Sequence, residues 1–422
     1  MSADHIEACP SCDDDFDPIS LDCAEALARV LAATSPVTGT QTLPLRDALD
    51  RVLAAPVVAG FDVPGEANSA MDGYAVRAAD LPADGTLRLQ IVDTSFAGRP
   101  AMRALGPGET IRIMTGAVLP AGADTVVMQE HVTVEGDRIV VGSGHRAGQN
   151  VRLPGEDVRR GATVLAAGKR LTPADLGLAA SLNVAELVVH RRPRVAFFST
   201  GDELKPVGST LGPGEIYDSN RYTLFGMLTR LGVECQDLGV VGDDRAALAA
   251  AFAEAASRAD AVITSGGVSV GEADYTRDTL VALGSVAFWR VAMKPGRPLA
   301  FGHLNGALFF GLPGNPVSVM ATFYQIVQPA LEKLAGLGAP ARVVVKARTT
   351  TGLRKRPGRV DFQRGRLATN PQGELCVTPL GKQGSGVLSS MSEADCFVIL
   401  PMTSGDVAAG ELVDVQPFFG LV

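Results

Sequence analysis

Val195-Ala-Phe-Phe-Ser-Thr-Gly-Asp-Glu203 reads as a short buried strand running into a polar, glycine-bearing turn. The same alternation repeats downstream. Arg221 to Leu231 puts Leu224, Phe225, Leu228 and Leu231 on one helical face, Val233 to Val241 is a strand, and Arg245 to Ala256 is an alanine-rich helix. Ala261-Val-Ile-Thr264 is a strand and Asp274 to Leu283 a helix. Two further strands lead into a long helix from Val317 to Leu334, which the interior Pro329 should kink. Alternating β and α over 192–338 predicts a doubly wound, mostly parallel sheet covered by helices on both faces.

The flanks read differently. Short strands divided by glycine-rich turns follow over 339–422: Arg342 to Lys346, Arg359 to Phe362, Leu375 to Pro379, Cys396 to Leu400 and Glu411 to Val415. That pattern predicts a small β-barrel or sandwich, with the barrel preferred. Upstream, 60–155 has period two, as in Thr86 to Val92 and Asp137 to Val141, and predicts a β-rich module. Around it, 18–59 and 156–191 read as one discontinuous helical linker domain. Ser20 would cap a first helix bearing Leu21, Ala24, Leu27, Val30 and Leu31, and a second helix spans Leu45 to Leu53. Thr172-Pro173 starts a third helix, expected to pack back on the first and so make the β module an insertion. Residues 1–17, with Asp13 to Asp15 and Asp17, read as a disordered tail. Cys9-Pro-Ser-Cys12 lacks the second half of a zinc site and reads as unligated.

Composition bounds the function. At roughly 100–200 residues per domain, 422 residues imply about two to four domains. A formal net charge of −8 argues against general nucleic-acid binding, which needs a basic face. No apolar run approaches the ~20 residues a bilayer requires, and the N-terminus has no secretory pattern. With six scattered cysteines, a reducing cytoplasm is the expected location.

Ligands of open α/β sheets bind at the carboxyl ends of the strands. Four polar clusters are expected on that edge: Ser199 to Glu203, Gly242-Asp-Asp244, Thr264 to Ser269, and Gly311 to Pro316, which includes Pro313. In Ser265-Gly266-Gly267, two glycines let backbone N–H groups converge as an anion nest, although the P-loop lysine is absent. Glu203, Asp243 and Asp274 form an acidic set on the same edge. Two carboxylates roughly 4 Å apart repel by about 4 kcal/mol at an effective dielectric of ~20, so a convergent set either stays protonated, spreads into water or holds a cation, Mg²⁺ for all-oxygen ligands beside a phosphate site. Arg290, Lys294 and Arg297, the last followed by Pro298, surround a Pro-Gly turn between apolar strands and form a compact positive site. Asp72 precedes a glycine in Ser69 to Arg77, and Thr115 precedes one in Arg112 to Ala117; by pattern alone both segments are turns.

Six motifs, in order, resemble the molybdopterin molybdenumtransferase (molybdenum insertase, MoeA) family, related to the E domain of gephyrin. They are Asn68-Ser-Ala-Met-Asp-Gly-Tyr-Ala-Val76, Arg112-Ile-Met-Thr-Gly-Ala117, Ser199-Thr-Gly-Asp-Glu-Leu204, Ser265-Gly-Gly-Val-Ser-Val-Gly-Glu-Ala-Asp-Tyr-Thr276, Met293-Lys-Pro-Gly-Arg-Pro298 and Gly311-Leu-Pro-Gly-Asn-Pro-Val-Ser318. The resemblance covers about residue 18 to 422. It implies a homodimer whose active cleft joins the α/β domain of one subunit to the β module of its partner, with transient contacts to other molybdenum-cofactor biosynthesis proteins. It implies insertion of molybdate into adenylylated molybdopterin, with Mg²⁺-assisted release of AMP.

Carried over by motif, Asp72 and Thr115 are cleft residues supplied across the dimer. Glu203, Asp243 and Asp274 handle the metal ion and the phosphoanhydride, and Ser265, Gly266, Gly267, Ser269, Pro313 and Pro316 lie in substrate-binding motifs. Lys294, Arg297 and Pro298 match the molybdate site with Arg290 beside them, Arg364 and Ser385 complete it, and Arg152 is a further contact. Arg290 and Arg297 stand where the family often has Lys, which keeps the charge and changes the fork geometry. A molybdopterin adenylyltransferase and a gephyrin-like scaffold are the alternatives.

Overall fold

The structure is a computed structural model that describes residues 20–266, 279–280, 282–338, 342–419 and 421. Its contacts group into two compact units. One carries the residues from Val189 onward, with Asp50–Ala54 and the start of the chain through Gln41; the other carries Thr42–Leu49 and Ala55–Val188.

In the first unit, helix α1 (Cys23–Ala33) is capped by Asp22, not Ser20. The Asp22 carboxylate accepts from the N–H groups of Ala24 at 2.8 Å and Glu25 at 3.2 Å. The helix cannot start earlier because Leu21 is held in extended pairing, donating to the Arg290 carbonyl and accepting from Ala292 N–H. Ala26 and Val30 enter the large core of this unit, and Lys333 Nζ donates to the Leu31 carbonyl at 2.7 Å.

In the second unit, the expected Leu45–Leu53 helix is one 3-10 turn, Leu45–Ala48. Leu49 is extended and Asp50 has φ 61°, so a helix cannot propagate. Helix α2 (Pro173–Ser181) packs on that turn; Thr172 and Asp175 close a capping box at its start. The β-rich module contains β1 (Gly73–Val76), β2 (Thr86–Ser95), β3 (Glu109–Ile113), β4 (Thr125–Met128), β5 (Val132–Glu135) and β6 (Arg138–Gly142). They form one sheet in the order β4-β1-β3-β2-β6-β5. Period-two alternation buries both of its faces. Tyr74 and Val76 pack with Leu89, Val127 and Ile139, while Ala75 packs with Ile113 and Val126.

The α/β module of the first unit uses β7 (Arg194–Thr200), β8 (Glu234–Val241), β9 (Ala261–Ser265), β10 (Gly284–Arg290), β12 (Pro298–Leu304) and β13 (Ala307–Leu312). The sheet order is β8-β7-β9-β13-β12-β10. The first four strands are mutually parallel, and β12 and β10 add an antiparallel edge. Helix α3 (Ser219–Leu231) covers one face, where Leu224 and Leu228 meet Phe197, Ile263 and Phe310. Helix α4 (Arg245–Arg258) covers the other, where Phe252 lies edge-on to Phe198 and Phe309 with centroids at 5.2 and 5.7 Å. Each such buried side chain contributes about 1.5–3 kcal/mol of transfer free energy.

The expected long helix runs as α5 (Pro316–Thr322), a π segment at Phe323–Val327, and α6 (Gln328–Leu334). Pro329 lacks an N–H, and the wider π turn just before it absorbs that loss. Of the helix expected from Asp274, only 279, 280, 282 and 283 are described, and all four are helical.

The remaining strands, β14 (Val345–Thr349), β15 (Val360–Thr369), β16 (Leu375–Pro379), β17 (Cys396–Leu400) and β18 (Leu412–Pro417), close as a five-stranded barrel β15-β16-β14-β18-β17, with β17 pairing back to β15. The two-residue strand β11 (Met293–Lys294) adds to the outside of β15 in parallel. No helix among the described residues is long and apolar enough to cross a membrane.

Candidate active site

The carboxyl ends of β7, β8, β9 and β13 share one edge because those strands are parallel. A cavity of about 360 Å³ opens there, walled by the turns after β7, β9 and β13 and by the start of α3. Four expected residues line it: Glu203, Ser265, Gly266 and Pro316. Pro313 belongs to the turn that supplies Gly314, Asn315 and Pro316. Asp243 lies on the neighbouring turn after β8, whose N–H donates to Asp202 Oδ1 at 3.1 Å; the turns bearing Glu203 and Asp243 are therefore adjacent. Glu203 and Asp243 are both exposed. Asp244, next in sequence, caps α4 by accepting from Ala247 N–H at 2.8 Å. Gly267, Ser269 and Asp274 lie outside the described residues. Among the described residues no three carboxylate, histidine or cysteine side chains converge.

The anion nest expected at Ser265-Gly266 differs in one respect. Gly266 N–H donates to the Leu312 carbonyl at 3.1 Å, extending the β9–β13 pairing, so that donor is committed. Gly266 has φ +90°, and a Cβ there would sit 2.6 Å from the Thr200 carbonyl oxygen.

Asp218 and Asn220 were not singled out from the sequence, yet both line the cavity. Asp218 caps α3 by accepting from Arg221 N–H at 3.1 Å. Asn220 Nδ2 ties two walls together, donating to Ser265 Oγ at 2.8 Å and to the Gly314 carbonyl at 2.7 Å. The Asp-Ser pair before the Arg221 helix was an N-cap signal that could have found them.

The basic set lies on the strand edge of the same unit. Arg290 is exposed and pairs in register with Pro298, and half-buried Arg297 accepts from Val291 N–H through its carbonyl. Lys294, on β11, lies in register with Asp361 of β15. Arg364 is 1 % exposed. Its guanidinium donates to Ser390 Oγ at 3.1 Å and to the carbonyls of Lys382 and Gly384 at 3.4 and 3.2 Å. It thus grips the loop bearing Ser385, whose own carbonyl accepts from Val317 N–H at the start of α5. Arg364, expected to complete the oxyanion site, is thus held against the loop through Nε and Nη2.

In the second unit, Asp72 and Thr115 come together across β1 and β3. Asp72 Oδ1 accepts from Thr115 N–H at 2.7 Å and from its hydroxyl at 2.8 Å. These two donors hold the Asp72 carboxyl below the usual carboxylate range, with Arg112 adding a smaller pull. Gly73 is required beside it, because a Cβ would lie 2.1 Å from the Val127 carbonyl oxygen of β4. Arg152 is exposed on a short strand paired with Asn68 and Ser69, upstream of Asp72.

Residues 196–333 match the family described as a probable molybdopterin binding domain. Residues 21–183 match the MoeA N-terminal region (domain I and II), and 346–418 the MoeA C-terminal region (domain IV). A molybdopterin molybdenumtransferase of Haemophilus influenzae is 45% identical over 396 residues, covering 93% of this chain and 98% of that one. Another, from a Nostoc species, is 37% identical, covering 88% and 87%. The crystal structure of a molybdopterin biosynthesis moeA protein from Pyrococcus horikoshii superposes with TM-score 0.83 at 31% identity, covering 94% of this chain and all of that one. The chain belongs to the molybdopterin molybdenumtransferase (MoeA) family, a family of transferases.

Proposed function

We propose that this chain inserts molybdenum, taken up as molybdate, into adenylylated molybdopterin and releases AMP with the help of Mg²⁺. The observation that carries this reading is the cavity at the carboxyl edge of a sheet whose sequence matches a molybdopterin-binding domain. Molybdate is a dianion, and the Lys294–Arg297 turn carries two cations within four residues that would suit it. Glu203 and Asp243, two exposed oxygen donors on adjacent turns beside the cavity, suit an ion that keeps most of its waters and is completed by substrate phosphate. Mg²⁺ held there would neutralise charge on the departing phosphate. Ser265 and Asn220 fix the cavity walls through their mutual hydrogen bond, so the substrate meets a preformed surface. Asp72 and Thr115 would serve the cleft of the other subunit in a homodimer.

Incubating the protein with adenylylated molybdopterin and molybdate tests this directly. AMP should appear, and it should depend on both molybdate and Mg²⁺. An adenylyltransferase would consume ATP instead, and a scaffold would do neither. Mixing two inactive variants, Asp72→Asn and Lys294→Met, should restore release if the cleft is shared between subunits; persistent inactivity of the mixture would count against the shared cleft.

A pH dependence follows from the Asp72 contacts. Thr115→Val removes the hydroxyl donor and leaves the N–H, so the Asp72 carboxyl rises toward its ordinary value. The acidic limb of AMP release should therefore move to higher pH. A pH–rate profile identical to the unsubstituted protein's would show that Asp72 does not act as the free carboxylate.

A further inference from the structure

At the start of α3 the cavity wall carries oxygen atoms that lack a donor. Asp218 is 2 % exposed. Its Oδ1 caps the helix by accepting from Arg221 N–H, whereas Oδ2 is shut off from water and has no hydrogen-bond partner among the described residues. Asn220 Oδ1 and Thr200 Oγ1, on residues of the same lining, are in the same condition. The Asn220 amide has one orientation open to it. Its Nδ2 faces the Gly314 carbonyl, which can only accept, so Oδ1 remains as the unpaired acceptor.

Leaving a buried acceptor unpaired costs about 1–3 kcal/mol, which a ligand donor that reaches it recovers. The chemistry of this corner selects the ligand. A helix N-terminus ordinarily draws phosphate, but the Asp218 carboxylate already fills that position on α3. A further anion would meet carboxylate and amide oxygens and be repelled. What fits is a donating group carried on an apolar body, because Leu204, Ile216 and Tyr217 supply the rest of this wall. Tyr217 is 44 % exposed and its hydroxyl donates to the Ser209 carbonyl at 2.8 Å, so a tethered flat ring remains open to stacking.

We propose that Asp218, with Asn220 beside it, recognises the exocyclic amino group of a planar nitrogen heterocycle, and so sets which ring the cavity admits. This rests on the insertase reading above, whose substrate carries two such rings, the pterin and the adenine. A short swing of the Asp218 carboxylate, whose terminal torsion is broad, brings Oδ2 to the donor. An amino group carries two hydrogens, one for the carboxylate and one for the amide oxygen. No bond or proton is transferred; the pair discriminates by hydrogen bonding alone.

The test is isothermal titration calorimetry on the full-length protein with two pairs of probes. AMP is set against purine riboside monophosphate, the same molecule without its amino group, and pterin against its deamino analogue. The unsubstituted protein should bind the amino member of one pair more tightly by about tenfold or more, and the pair concerned identifies the ring. Asp218→Asn keeps an oxygen for the Arg221 N–H and places an amide donor where Oδ2 stood, so that preference should fall to parity or invert. Asp218→Ser also caps a helix but offers no second oxygen, and should abolish the preference without inverting it. Equal affinity within both pairs for the unsubstituted protein, or binding of none of the four probes, overturns the proposal. So does an Asp218→Asn variant that keeps the ratio or weakens both members alike. A protein that discriminates in this way but releases no AMP from adenylylated molybdopterin and molybdate would sink the insertase reading and leave the ring assignment standing. AMP release without discrimination would do the reverse.

Discussion

Replacing Arg364 with methionine should cost about 3–5 kcal/mol of stability, the range for removing one member of a buried charged group. The side chain lies almost wholly inside, and burial lowers its guanidinium to about 10, which leaves it charged at neutral pH. Its loss would strip donors from Ser390 Oγ and from the carbonyls of Lys382 and Gly384, and would remove one of the three cations facing Asp361. The 380–390 loop would keep the Gln383 bonds to the Arg364 backbone and the Leu380 carbonyl, the Leu380 N–H bond to the Arg364 carbonyl, and the Val317 N–H bond to the Ser385 carbonyl. Thermal denaturation should show a midpoint lower by roughly 10 °C. Arg364→Lys should recover only part of this, since one ammonium cannot span the acceptors that the planar fork reaches. A shift below about 1 kcal/mol would mean that water replaces the guanidinium in full.

The second large effect is expected from Gly266→Ala, at about 2–4 kcal/mol. The backbone there has φ +90°, and the new methyl would lie 2.6 Å from the Thr200 carbonyl oxygen and 3.1 Å from Thr200 Oγ1. Relief by movement is blocked, because Ser199 and Ser265 are register partners on adjacent parallel strands. Gly266 and Thr200 both line the cavity, so the substrate KM should rise along with the loss of stability. Gly314→Ala is the matched control, also on the lining but with no heavy atom within 4 Å of its added carbon. Urea titration and steady-state AMP release on both variants separate backbone strain from simple crowding of the pocket; equal behaviour of the two would refute the strain argument.

Much of the fold was legible because hydrophobic period is a local signal. The strand–turn–helix alternation from Val195 onward gave the α/β sheet, and the Thr172-Pro173 start gave α2 with its cap. What failed was decided at a distance. Ser20 looked like a cap, but Leu21 pairs with backbone some 270 residues away, which moves the helix start to Asp22. The Leu45 segment carries a helical pattern, but its last turn is broken by the φ of Asp50. The antiparallel β10–β12 edge was hidden because β and α alternation says nothing of strand direction once two strands follow each other. In the cavity, Glu203, Ser265, Gly266 and Pro316 stood in readable motifs.

The strand β11 lies between β10 and β12 in sequence but pairs with the barrel, placing Lys294 opposite Asp361. The chain therefore stitches its two modules together well before the point near residue 339 where one ends and the next begins. A deletion that stops at that junction would not yield a self-sufficient fragment: it would leave Met293 and Lys294 as an orphan edge. Gene rearrangements that shuffle this α/β sheet would have to carry the distal barrel along as inseparable cargo.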